Sequence, residues 1–98
     1  MKKVELIIES VYLNRLLKVF KNHNISGYTV IKDIEGYGSH GFKTADDVSD
    51  ICSNIYLFTI CEADKYEDMD KDLRTFLDMY GGKCMLSDVM LLLGKPKK

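Results

Sequence analysis

The chain has 98 residues, 46% of them hydrophobic, with 14 basic and 15 acidic side chains and a formal net charge of −1. That is one domain, large enough to bury a core without disulfides or a metal, yet small enough that association would add useful burial. The even balance excludes an overall electrostatic case for nucleic acid or an anionic membrane as partner.

Lys3–Glu9 mixes alternation with a short β-branched apolar core and reads as a strand. Val11, Leu13, Leu16, Leu17 and Phe20 then recur at helical spacing, opposite Asn14, Arg15, Lys18 and Lys21, and predict an amphipathic helix closed by Asn22-His23-Asn24. Ile25-Ser26-Gly27 turns the chain into a second strand over Tyr28–Ile34. From Gly36 to Ser53 no period is sustained, which in so small a domain marks a functional or a disordered loop; Thr44 and Asp47 are spaced to cap one helical turn within it. Asn54–Cys61 is a third strand, with Ile55, Leu57 and Thr59 on one face and Tyr56, Phe58 and Ile60 on the other. Tyr66, Met69, Leu73, Phe76, Leu77 and Tyr80 form the stripe of a second helix, which Gly81-Gly82 stops. Lys83–Leu86 begins a fourth strand, expected to continue through a bend at Ser87-Asp88 into Val89–Leu93, before a basic tail over 95–98.

Strand-helix-strand-strand-helix-strand is the ferredoxin-like arrangement, an α+β sandwich here assigned to residues 1–94 as a single domain. Two helices cover one face of such a sheet. The third strand is apolar on both faces, so the second face calls for a partner, and self-association is the simplest.

Gly36-Tyr37-Gly38-Ser39-His40-Gly41-Phe42-Lys43 is the segment richest in chemistry. Its glycines permit φ > 0 and close approach of backbone N–H groups to an anion, and Lys43 adds a cation. It matches G-x-G-x-x-G, but Thr44–Asp50 is too polar and short for the long helix of a dinucleotide fold. A protonated His40 would strengthen anion binding near a pKa of about 6.5, so affinity is expected to fall from about pH 6 to about pH 8.

Cys52, Cys61 and Cys84 lack paired short spacing and follow no signal-like apolar region, as expected of reduced thiols in a cytosolic protein. With His23 and His40 they show no soft-metal spacing, and Asp46, Asp47 and Asp50 fit a solvated helical turn better than an EF-hand. No nucleophile–base pair or paired catalytic acids stand out, so an enzyme is not expected.

The segments Gly27–Gly38 and Tyr80–Asp88, in this order of elements, resemble the corresponding stretches of PII-like signalling proteins, in particular the SbtB-type branch associated with bicarbonate transport. The similarity runs from Val4 to Leu93. It implies a homotrimer that binds adenine nucleotides of the AMP, cAMP, ADP and ATP class in clefts between subunits, with no obligatory cofactor and no turnover. By position, Thr29, Val30 and Ile31 would lie beside the adenine, Gly36 and Gly38 would allow close backbone approach, and Ser39, His40, Gly41 and Lys43 would face the phosphate. Gly81, Gly82, Lys83 and Cys84 match a second nucleotide loop, followed by Ser87 and Asp88 as polar contacts.

The implied partner is a membrane transporter for bicarbonate or another ion, which would bring a cytoplasmic protein to the membrane without an anchor of its own. Relatives that sense 2-oxoglutarate use a glutamine in the long loop, and this chain contains none. Nor does it end in the cysteine pair that serves some relatives as a redox element. The alternatives are a CutA-like trimeric metal-binding protein and an interaction module without a small ligand.

Overall fold

The computed structural model describes residues 1–38, 41–43 and 53–92. β1 (Lys2–Glu9) leads through a 3-10 turn (Ser10–Tyr12) into α1 (Leu13–Asn22), followed by β2 (Thr29–Ile34). Two short strands, β3 (Gly36–Gly38) and β4 (Gly41–Lys43), pair with each other, and then come β5 (Asn54–Cys61), α2 (Ala63–Tyr80) and β6 (Lys83–Asp88). The main sheet has the order β2-β5-β1-β6, antiparallel throughout. This is the ferredoxin-like α+β arrangement expected from the sequence, with the small β3–β4 hairpin added.

Alternation decides which face meets the helices. Val4, Leu6 and Ile8 of β1 and Ile55, Leu57, Thr59 and Cys61 of β5 are buried, together with Leu16 and Phe20 of α1 and Met69, Leu73 and Phe76 of α2. Each fully buried large aliphatic or aromatic side chain contributes roughly 1.5–3 kcal/mol. Thr59 is the polar member of this layer, and its hydroxyl donates to the Gly27 carbonyl at 2.5 Å. The opposite face carries the odd-numbered residues of β1, and no described helix covers it.

Three expectations change. Val11 is 53% exposed, because the chain leaves β1 through the 3-10 turn, so the buried stripe of α1 begins only at Leu13. The fourth strand stops at Asp88, where Lys2, the first residue of β1, pairs with it. Beyond that point the described residues offer it no strand neighbour. Val89 donates once more, to the Met1 carbonyl at 3.0 Å, and Met90 and Leu92 stand 89% and 86% exposed. Finally, the stretch from Gly36 to Ser53 is not wholly irregular, since Gly36, Tyr37 and Gly38 pair with Lys43, Phe42 and Gly41. The expected cap at Thr44 and Asp47, the acidic cluster Asp46, Asp47 and Asp50, Cys52 and the 95–98 tail lie outside the described residues.

Candidate functional site

β2 reaches the glycine hairpin through a bulge. Ile31 pairs with Tyr56 but Ile34 with Asn54, so β2 carries one residue more than β5 there, and Asp33 absorbs it with φ 57°. A non-glycine residue in this region is uncommon, and aspartate is among those that tolerate it. Sequence reasoning missed this position; an acid inside an otherwise β-branched run is its one visible sign. The bulge re-aims the chain where it leaves the sheet, just before Gly36.

The second glycine segment sits at the same end of the sheet. Gly81 closes α2 by donating to the Leu77 carbonyl at 2.8 Å, with φ 80°, and Gly82 follows with φ 111°. A β-carbon at Gly82 would lie 2.6 Å from the Ile7 carbonyl oxygen and 2.9 Å from Ile8 Cγ2. Glycine is therefore required by the approach of this turn to β1. Gly36 differs: the residue is extended, and among the described residues a β-carbon there would meet nothing within 4 Å.

The predicted residues divide by end and by face. Glu9, Asn54 and Ile34 pair at the end where β1 finishes, next to Gly36 and Gly81–Lys83. Thr29 starts β2 toward the opposite end, where β1 begins, and Ser87 and Asp88 lie near that end on β6. Thr29 and Ile31 share the open face with Phe58 and Tyr56, whereas Val30, opposite Leu57, turns to the helices and packs on the core. Lys83, opposite Ile7, lies on the open face; Cys84, opposite Leu6, lies on the helix face. Burial pushes the Cys84 thiol up, with Asp70 adding to the effect, so it stays protonated at neutral pH. Asp88 is engaged by the Lys2 ammonium at 2.5 Å, which holds its carboxyl below the usual range. Gly38, Gly41 and Lys43 belong to the hairpin ladder, while Ser39 and His40 lie outside the described residues.

At the end where β1 begins there is a cleft of about 250 Å³, lined by Asn24, Ile25, Ser26 and Gly27 on one side and Thr59–Glu62, Met1 and Lys65 on the other. Asn24 turns the chain with φ 60°, and Lys65 Nζ donates to its carbonyl at 3.2 Å. Cys61, at the back, is raised by burial, an effect the Lys65 charge opposes. None of these cleft residues was expected from the sequence to touch a ligand; Gly27 beside the start of β2 was the available signal. Among the described residues no group of three His, Cys, Asp or Glu side chains is set to hold a metal, and no helix is long and apolar enough to cross a membrane.

Residues 1–92 match the family model of nitrogen regulatory protein P-II. The chain belongs to the PII family. Among solved structures, CPII from Thiomonas intermedia K12, a nitrogen regulatory PII-like protein bound to ADP, AMP and bicarbonate, superposes with a TM-score of 0.80 at 19% identity, over 90% of this chain and 84% of that one. CPII bound to ADP, AMP and acetate gives 0.75 at 22% identity, over 97% and 89%. A PII-like signalling protein from Thermus thermophilus gives 0.74 at 25% identity, over 90% and 85%. The comparison with curated proteins returns no match. The family and its fold are thus those that the two glycine segments suggested.

Proposed function

We propose that this PII protein is a non-enzymatic sensor of adenine nucleotides, of the SbtB-like kind, that works as a homotrimer with its ligand between copies. The observation that carries the reading is the separation of the candidate residues within one chain. From Thr29 to Ile34 the strand advances about 17 Å at 3.3 Å per residue, so the two glycine segments and the cleft sit at opposite ends of the sheet. The cleft, about 250 Å³, is smaller than the roughly 300–1,000 Å³ of sites that enclose a drug-sized ligand. It suits a base, and a second copy has to supply the rest.

In such an assembly the cleft beside Gly27 and Thr29 takes the adenine. Gly36–Lys43 and Gly81–Lys83 of the neighbouring copy take the phosphates, through backbone N–H groups and the Lys43 and Lys83 ammonium groups. The open β-carbon position at Gly36 fits this reading, since nothing among the described residues lies within 4 Å of it. The ADP and AMP held by CPII favour nucleotides as the ligand class, and its bicarbonate makes that anion the second ligand to test. Signalling is by population shift: the ligand binds one state of the 36–53 loop more tightly, and that state docks on, or leaves, a membrane transporter for bicarbonate or another ion. The protein is then cytoplasmic and reaches the membrane only through that partner.

Thermal unfolding with AMP, cAMP, ADP, ATP and a cyclic dinucleotide, with and without bicarbonate, tests the reading. A nucleotide at about 100 times its Kd stabilises one site by about 2.7 kcal/mol, a midpoint shift of roughly 10–20 °C for a domain of this size. Lys43→Ala, Lys83→Ala and His40→Ala are expected to reduce the shift. No shift with any of these ligands, confirmed by calorimetry, would sink the nucleotide reading.

A further inference from the structure

The turn between α1 and β2 forms one wall of the cleft, and α1 holds it in shape. Ile25 donates to the Phe20 carbonyl at 2.9 Å and Asn24 to the Lys21 carbonyl at 3.1 Å, with Asn24 at φ 60°. This is a Schellman end, in which a left-handed residue closes the helix and the next residue packs back on it. Ile25 is buried accordingly. The turn therefore moves with the end of α1.

The other wall belongs to Thr59–Glu62 and the first turn of α2, which carries Lys65. The width of the cleft depends on what joins the two walls. At the floor the Thr59 hydroxyl holds the Gly27 carbonyl. Among the described residues two polar contacts tie the turn to α2: Lys65 Nζ donates to the Asn24 carbonyl at 3.2 Å, and His23 Nε2 lies 2.7 Å from Asp72 Oδ2. An ionised carboxylate only accepts, so Nε2 is the donor. The lysine contact is long and made by a flexible stem, and its ammonium lines the cleft with two more bonds to give. The histidine contact is shorter, and its imidazole is only 18% exposed. The helices run in opposite directions, with Arg15 meeting Tyr80 at one end and His23 meeting Asp72 toward the other. The His23–Asp72 pair thus holds the end of α1 from which the cleft wall departs.

We propose that His23 and Asp72 form a clasp that sets the width of the cleft, with His23 as a positioning residue. It does not line the cleft and acts through Asn24–Gly27, which do. With the clasp closed, the wall stays in place even when a ligand draws Lys65 away from the Asn24 carbonyl. The inference rests on the reading of the cleft as the base site.

The test is calorimetric binding of AMP, ADP and ATP to the wild type, Asp72→Ala, His23→Ala, His23→Gln and the double alanine variant, with urea denaturation of each. Asp72 is 56% exposed and alanine is the better helix former, so Asp72→Ala is expected to keep a midpoint close to that of the wild type. A loss of affinity in that variant then reports the clasp rather than general unfolding, and it carries the test should His23→Ala fail to fold. Each alanine variant is expected to bind about three- to fivefold more weakly, the upper range for a partly exposed ion pair. The factor is the same for AMP, ADP and ATP, because the base and not the phosphates is displaced. The double variant loses no more than either single one, and His23→Gln, whose amide donates to Asp72, recovers most of the affinity. Wild-type affinity in the alanine variants, a loss that grows with phosphate number, additive losses in the double variant, or no recovery in His23→Gln would each overturn the clasp and leave the nucleotide reading in place. A wild type that binds none of the three nucleotides would remove that reading and the clasp with it.

Discussion

At Gly82 the left-handed φ and the carbonyl of Ile7 act together, and any side chain has to displace β1 or the turn. Gly82→Ala is expected to cost about 3 kcal/mol in chemical denaturation, from overpacking and backbone strain combined. Among the described residues Gly36→Ala meets nothing within 4 Å and has no left-handed φ, so it is expected to stay within about 0.5 kcal/mol, and any loss of nucleotide binding in that variant reads the site directly. Tyr66 offers a further residue-scale test. Burial, with a 2.5 Å hydrogen bond to Asp70, raises it from 10.0 to about 12. Between those values the unfolded chain binds fewer protons than the folded one, so stability is intact below pH 10.0 and falls as pH rises toward about 12. Tyr66→Phe should flatten that slope in denaturation curves taken across the window. The glycine doublet was legible because it ends a clear helical stripe. The direction of Cys84 was not, because it depends on the register with Leu6, which no local pattern encodes.

Among the elements, β2 shows how one residue alters a strand's exit. The bulge at Asp33 keeps Val30 against the core and frees the following residues to leave the sheet as the β3–β4 hairpin. Asp33→Val should destabilise the protein by about 1–2 kcal/mol, the usual cost of a branched residue in the left-handed region, whereas Asp33→Gly should change stability by less than about 1 kcal/mol. Denaturant midpoints compare the two. The elements themselves were readable from alternation in the strands and the apolar stripes in the helices. Their ends were harder, since β6 stops at Asp88 for want of a described neighbour beyond Lys2, although the sequence stays apolar through Leu93. The hairpin escaped notice because its glycines report conformational freedom rather than pairing.

For the molecule as a whole, one side of the sheet is closed by helices and the other is left with aromatic, aliphatic and charged residues in ordered rows. The unpaired apolar face was legible in β5, where both sets of alternating residues are apolar, and it led to the expectation of a partner. That the two glycine segments and the cleft occupy opposite ends of the sheet was not legible, because strand order and register set that separation and motif spacing does not. It also carries a genetic consequence. If each cleft draws its base contacts from one chain and its phosphate contacts from the next, a copy defective only at Gly36–Lys43 and a copy defective only around Gly27 and Thr59 are each inactive alone. Expressed together, they would form mixed rings in which one junction combines the intact half of each. Two null alleles of the same gene would then restore partial signalling in the same cell.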